Sequence, residues 1–281
     1  MIDVRIASLH LYPIKSCAGI MVDRMRFDAL GPIDDRRWML VDQHGEFVTL
    51  REAPRLAQVR PARLSGGLRV LAPGQPVLQV SGEGGERVDA WCWDDRCSAF
   101  DEGPACAEWF SGYLARSVRL LRFDASRPRS VRVGQAGAPG VQQGVQTRFT
   151  DGYPLLVIGR ATLDAVNTLL EDTTFGLASL ARFRPNLVID GLAPFQEDRI
   201  DALVTDSGVR IRLVRPCTRC AVIEVDPVTG RAEPGLLQWL TLFRANPQLG
   251  GAVTLGQNAV IDGPSQAVLR AGEALQCIER G

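Results

Sequence analysis

Up to residue 80 the chain breaks into short apolar or alternating runs: VRIASLHLYPI (4–14), RRWMLVD (36–42), EFVTL (46–50), RLAQVRPARL (55–64), GLRVLA (67–72) and PVLQV (76–80). Turn signals such as HG and SGG separate them, and runs this short with period-two alternation suit strands rather than helices. The same pattern returns later in SVRLLRF (117–123), LLVIG (155–159), NLVID (186–190), GVRIRLVR (208–215), AVIEVD (221–226) and AVTLGQNAVID (252–262). Helical spacing is confined to three places. PACAEWFSGYLAR (104–116) sets Ala107, Phe110, Tyr113 and Leu114 on one stripe, and RATLDAVNTLLED (160–172) does the same with Leu163, Val166, Leu169 and Leu170. A shorter helix starting near Pro234 carries Leu236, Leu237, Trp239, Leu240 and Phe243. Many strands and few helices predict a mainly β (α+β) fold of barrel or sandwich modules with flanking helices, not an alternating parallel sheet. The Gly-, Pro-, Ser- and Gln-rich stretch 124–146 reads as a boundary loop, dividing the chain into modules 1–123 and 124–281.

The charge balance narrows the partners. Thirty-two basic and 32 acidic side chains give no net charge, so no whole-protein field draws the chain to nucleic acid or to an anionic membrane. No apolar run approaches the roughly 18–20 residues of a membrane span, and MIDVRIASLH lacks the basic and apolar regions of a leader, so the expected address is cytoplasmic. Seven cysteines, an odd number in a chain of 281 residues, fit free thiols in a reducing compartment better than a disulfide framework. His10 and His44 are the only histidines, which argues against imidazole-rich metal sites and against a Ser-His-Asp triad. Of the 32 basic residues 31 are arginine, as a coding bias toward arginine would produce, and Lys15 is the single lysine. A compact ammonium fits where a planar guanidinium cannot, so the exception marks a candidate site.

The most reactive pattern is Cys217-Thr218-Arg219-Cys220, preceded by Arg215 and Pro216. A thioredoxin-like pair needs a following helix, and AVIEVD reads as a strand. Zinc would need two further ligands, with Cys92 and Cys97 as the available thiols. Two small buried cysteines are the plainest alternative, weakened by Arg215 and Arg219, because nearby positive charge favours thiolate. In RFRPN (182–186), Arg184 and Asn186 flank a proline, offering a guanidinium fork and an amide. No GxGxxG at a strand–helix junction, no GxxxxGK[ST] and no HExxH occurs.

Taken in order, Tyr12-Pro-Ile-Lys15-Ser16-Cys17, Asp35-Arg36-Arg37-Trp38, Phe47-Val-Thr49-Leu-Arg51, Asp151-Gly-Tyr-Pro154, Phe183-Arg184-Pro-Asn186, Arg219-Cys220 with VDPVTG, and Leu255-Gly-Gln-Asn258 span nearly the whole chain. This ordered set resembles the signature of MOSC-domain molybdenum proteins, in particular the YcbX-like and mitochondrial amidoxime-reducing-component-like members. The resemblance implies an N-terminal β-rich MOSC module, a MOSC β-barrel and molybdenum cofactor (molybdopterin with Mo) between them. It implies Cys220 as the metal ligand and catalytic centre. It further implies cofactor contacts at Lys15, Ser16, Arg36, Asp151, Gly152, Tyr153, Arg184, Asn186, Thr218, Arg219 and Asn258, a set that includes the lone lysine.

The implied activity is reduction of small N-hydroxylated compounds to amines or amidines. Gly152-Tyr153 and Asn258 depart from the hydroxyl and tyrosine residues of the mitochondrial members, so those side-chain contacts do not carry over by residue type. No anchor precedes the first strand and no iron–sulfur domain follows the barrel, which implies a soluble form with a separate electron-donor protein of iron–sulfur, flavin or haem type. The competing expectation is a molybdenum-cofactor or persulfide carrier using Cys220 without turnover; a non-catalytic β-barrel binding module is the third.

Overall fold

Alternation in the strand Arg5–Leu11 turns Ile6, Leu9 and Leu11 inward, and a bulge between Ile6 and Ser8 keeps the later residues on the inner face. A computed structural model describes residues 3–131, 144–171, 173, 175–262 and 266–281. In it Arg5–Leu11 belongs to a nine-stranded sheet built otherwise from the second half of the chain and Ile20–Val22. The order runs Ile20–Val22, Arg5–Leu11, Leu187–Asp190, Leu155–Gly159, Ala252–Asp262, Arg210–Thr218, Ile200–Thr205, Leu275–Glu279, with Ala245–Asn246 beside Ala252–Asp262. Among the described strands of this sheet only Leu155–Gly159 and Leu187–Asp190 pair parallel, and the helix Arg160–Leu170 lies on the connection between them. The far end of the sheet returns to its start through Ile6 N–H to Glu273 O (2.9 Å), Gly272 N–H to Ile6 O (2.8 Å) and Leu275 N–H to Val4 O (2.8 Å). These bonds close the sheet around a core that includes Ile6, Leu9, Val157, Leu187, Ile211 and Ala259.

The first half adds a four-stranded sheet ordered Trp38–Val41, Arg119–Phe123, Asp95–Asp101, Arg87–Cys92, and a meander Arg60–Arg63, Leu68–Leu71, Leu78–Val80. The helix Pro104–Leu114 covers this part through Cys106, Trp109, Phe110 and Tyr113. The expected β-rich architecture with flanking helices is therefore the observed one.

Several local expectations are corrected. Residues 46–50 hold only two isolated bridges, Glu46 with Trp91 and Phe47 with Val41, before a turn. Pro54–Gln58 is a 3₁₀ helix: proline presets its first turn and Leu56 and Ala57 are buried. AVIEVD is no strand either. Ala221–Glu224 forms a 3₁₀ turn, with Ile223 N–H bonded to Cys220 O at 3.2 Å, which drives Ile223 into the core beside Leu236 and Leu240. The first helix buries Phe110 and Tyr113 as expected, with Leu114 packed partly buried beside them, but adds Cys106 and Trp109 to that face while Ala107 is half-buried, and Leu169 stays 52% exposed. Helix Leu236–Arg244 begins after Gly235, two residues beyond Pro234. The hairpin Arg87–Cys92/Asp95–Asp101 and the strands Val268–Arg270 and Leu275–Glu279 were not anticipated. Within the expected loop 124–146, Arg129–Ser130 pairs with Gln146–Thr147, and residues 132–143 lie outside the described residues. Among the described residues no helix is long and apolar enough to cross a membrane.

Candidate functional site

All twelve site residues named from the sequence line one cleft, together with Phe47, Thr49, Arg51, Trp93, Thr150, Phe183 and Cys217. The segments carrying them are far apart in the chain and are tied by backbone bonds: Arg36 N–H to Tyr12 O (2.8 Å), Lys15 N–H to Trp38 O (2.8 Å), Asn186 N–H to Leu156 O (2.8 Å) and Arg219 N–H to Val253 O (2.8 Å). Ser16, Arg36, Trp93 and Arg184 hold left-handed backbone, φ +69°, +44°, +58° and +57°. Each such conformation costs a non-glycine residue about 1–2 kcal/mol. Four of them around one cleft concentrate strain where side chains must be aimed.

Lysine 15 is buried. Its ammonium donates to Phe149 O at 2.9 Å and pairs with Asp151, and it lies 5.1 Å from the centre of the Phe47 ring. Desolvation in the cleft raises the Asp151 carboxyl, but the Lys15 charge and hydrogen bond, with the Trp93 indole N–H at 3.0 Å, override it and hold the pKa well below the usual carboxylate range. Because the Asp151 side chain is 74% accessible through the open mouth, water screens part of that pairing.

A second network sits deeper. The Asp35 carboxylate accepts from Tyr12 N–H (2.8 Å), Asn186 Nδ2 (3.1 Å) and Arg36 Nη1 (2.5 Å). The Asn186 amide also donates to His10 O (3.1 Å) and accepts from Leu156 N–H and Arg36 Nη1, both at 3.2 Å. Its polar atoms are thereby committed to protein partners, so Asn186 positions Arg36 and the strand ends. Two guanidiniums rest against the Tyr12 ring, Arg36 at 4.4 Å and Arg184 at 4.3 Å from its centre. Burial pushes the Tyr12 hydroxyl up to about 12, and burial with the neighbouring Arg36 charge lowers Arg184 to about 10, still protonated at neutral pH. Arg184 Nη1 donates to Cys17 O at 2.6 Å.

Cysteine 220 is exposed, at the point where the last strand residue Thr218 and Arg219 give way to the 3₁₀ turn. Cys217, half-buried, accepts from Arg219 Nη1 at 3.1 Å, while Arg219 Nη2 donates to Phe183 O at 2.7 Å. Asn258 Nδ2 donates to Pro216 O at 3.4 Å, and Thr150 Oγ1 to Gly152 O at 2.8 Å. Cys92 and Cys97 are buried in a separate core cluster with Leu121 and Phe123, away from the cleft, so the four-thiol zinc combination is not assembled.

The cleft has a clear electrostatic demand. Its lining carries five cations, Lys15, Arg36, Arg51, Arg184 and Arg219, against the single carboxylate of Asp151. Among the described residues, Arg184 Nη2, Arg219 Nε and Tyr153 Oη are buried without a hydrogen-bond partner. Burial raises the Tyr153 pKa, against Arg215 and Arg212, so its hydroxyl keeps the proton it can donate. Buried donors left unpaired cost about 1–3 kcal/mol each, and an acceptor-rich anionic group would satisfy all three. A phosphate-bearing cofactor fits that donor set. Among the described residues no three His, Cys, Asp or Glu side chains converge, so a metal at Cys220 would need ligands supplied by the cofactor itself.

Sequence reasoning passed over Asp35, Phe47 and Arg51 as site residues although they stand in the quoted motifs, and Trp93 carries no motif at all.

Comparison with known proteins identifies the family. The MOSC N-terminal beta barrel domain model matches residues 3–117 and the MOSC domain model residues 145–276. Mitochondrial amidoxime reducing component 2 of Bos taurus is 30% identical over 250 residues, 85% of this chain and 72% of that protein. Mitochondrial amidoxime-reducing component 1 of Mus musculus is 32% identical over 261 residues, 85% of this chain and 71% of that protein. Molybdenum cofactor sulfurase of Homo sapiens is 29% identical over 254 residues, covering 85% of this chain but 28% of its own length. By its two domain matches and these relatives, the chain belongs to the MOSC-domain family, alongside the mitochondrial amidoxime reducing components.

Proposed function

We propose that the chain is a molybdenum-cofactor-dependent reductase of small N-hydroxylated compounds, supplied with electrons by a separate iron–sulfur, flavin or haem protein. The observation that carries this reading is the cationic cleft with three unpartnered buried donors opening beside the exposed Cys220 thiol. The two-electron reduction R–NHOH + 2 e⁻ + 2 H⁺ → R–NH₂ + H₂O is the chemistry a bound molybdenum cofactor supplies.

The chain's own residues bind and orient. Cys220 Sγ ligates the metal. Lys15, Arg36, Arg184 and Arg219 neutralise the cofactor's anionic groups, the last two through Nη2 and Nε. Tyr153 Oη adds a third unpartnered donor, and Ser16, Gly152, Thr218 and Asn258 complete the walls. Asn186 and Asp35 hold Arg36 in register. Asp151, with its depressed pKa, stays ionised at neutral pH and so anchors Lys15 rather than delivering protons. In this reading residues 1–123 and 124–281 act as two modules of a cytoplasmic enzyme.

The exposure of the Cys220 thiol also favours a second reading, a cofactor or persulfide carrier. Turnover separates the two: the cofactor-loaded chain with an artificial reductant should reduce an aryl hydroxylamine, and Cys220→Ala should abolish this while retaining the fold. Full activity in that variant would sink the ligand assignment, and no turnover by loaded wild type would favour the carrier.

A further inference from the structure

Four of the five cleft cations are matched to the cofactor, and each is anchored by the protein: Lys15 to Asp151, Arg36 to Asp35, Arg184 to Cys17 O and Arg219 to Phe183 O. Arg51 is the fifth, and it differs. It is exposed at the cleft, and among the described residues its guanidinium has no carboxylate or carbonyl partner. Its guanidinium rests instead over the face of Trp93, 4.9 Å from the ring centre. The Arg51 backbone is nevertheless fixed, its N–H donating to Thr49 Oγ1 at 3.2 Å while Thr49 N–H donates to Glu52 Oε1 at 2.9 Å.

Trp93 is built into the same lip. It occupies the turn between Arg87–Cys92 and Asp95–Asp101 in left-handed backbone, a conformation that penalises a bulky residue. Its indole N–H is tied to Asp151 and its ring packs 4.9 Å from Phe47, yet 41% of the residue remains exposed. An exposed indole held from two sides offers an apolar edge, and a guanidinium resting on it keeps its N–H edge free. Stacking also preorganises the fork, so less rotamer freedom is lost when it grips a planar acceptor.

We propose that Arg51 and Trp93 form the substrate-recognition lip, selecting planar aromatic N-hydroxylated compounds that carry a carboxylate. This inference rests on the reductase reading for the identity of the reacting group, and on the lip alone for the carboxylate and the ring.

The test compares benzamidoxime with its 4-carboxy derivative on the cofactor-loaded chain, in wild type, Arg51→Ala and Arg51→Lys. Binding is read without reductant from intrinsic fluorescence, with Trp93→Phe identifying the reporter, and kcat/KM is then read with an artificial reductant. Wild type should favour the carboxylate by about tenfold, the scale of one charge-assisted hydrogen-bonded contact. Arg51→Ala should erase the preference, Arg51→Lys should restore part of it, and Trp93→Phe should remove most of the quenching. Equal affinity of wild type for both compounds, or a preference that survives in Arg51→Ala, would overturn the proposal. So would loss of molybdenum or pterin from Arg51→Ala, which would reassign the residue to the cofactor. Carboxylate-selective binding without turnover of either compound would uphold the lip and refute the reductase reading instead.

Discussion

Removing Asp35 tests how the cleft is held open for an anion. Its side chain is 1% exposed and that of its partner Arg36 14%, so the pair is desolvated. Asp35→Ala strips acceptors from Tyr12 N–H, Asn186 Nδ2 and Arg36 Nη1 at once, and leaves the Arg36 charge beside that of Arg184 at the Tyr12 ring. Losing one member of a buried pair costs about 3–5 kcal/mol, mainly because the remaining charge is stranded. The control is Asp89→Ala, which breaks a pair with Arg96 whose side chains are 54% and 66% exposed. That loss should be about 0–1 kcal/mol. Urea unfolding of the cofactor-free chain at neutral pH gives both numbers. At about 2 °C per kcal/mol for a chain of this size, the thermal midpoint should fall by about 6–10 °C for Asp35→Ala and by about 2 °C or less for the control. Raised salt should shrink the control's small effect and leave the Asp35 effect largely intact. An Asp35→Ala loss no larger than the control's would refute the argument that this carboxylate organises the site.

Two further predictions concern the frame around the cleft. Glu197 is buried and accepts from Gly159 N–H at 3.1 Å and Thr162 Oγ1 at 2.7 Å, and burial lifts its pKa above the ordinary 4.5. The fold therefore favours the protonated form: the penalty is absent below about pH 4.5 and develops as pH rises through the raised folded value. Glu197→Gln should gain stability relative to wild type as pH rises above about 4.5 in denaturant titrations, and a difference flat with pH would contradict this. Gly256 holds φ +73° between the pairs Pro216–Gln257 and Thr218–Thr254, and a Cβ there would lie 2.6 Å from Ile158 Cγ1 and 2.7 Å from Val157 O. Gly256→Ala should cost about 1–3 kcal/mol and disturb the 217–220 segment, lowering cofactor retention; unchanged stability and retention would show that the bulge does not depend on glycine.

The sequence disclosed more of the site than of the scaffold. Lys15 stands out in the sequence as the one lysine, and its ammonium sits where Asp151 and Phe149 O converge. The strands Arg5–Leu11, Leu155–Gly159 and Ala252–Asp262 were readable because their buried positions are mostly apolar, with Thr254 and Gln257 the polar exceptions in the last. AVIEVD misled for a tertiary reason: alternation over six residues fits a strand, but Leu236 and Leu240 draw Ile223 inward through a 3₁₀ turn. The hairpin Arg87–Cys92/Asp95–Asp101 was obscured because the left-handed backbone of its turn falls at Trp93 rather than at a glycine. The left-handed backbone of Ser16, Arg36 and Arg184 is likewise invisible in residue type. The closing bonds between residues 4–6 and 272–275 depend on both ends of the chain and have no local signature.

The central claim is that this cleft holds molybdenum cofactor with Cys220 on the metal. Purification from a host competent in cofactor synthesis, followed by metal analysis and quantification of released pterin for wild type and Cys220→Ser, tests it most directly. The account predicts about one molybdenum and one pterin per wild-type chain, with the metal lost or its coordination altered in the variant. Folded wild-type protein carrying neither, or a variant retaining molybdenum with an unchanged environment, would contradict it.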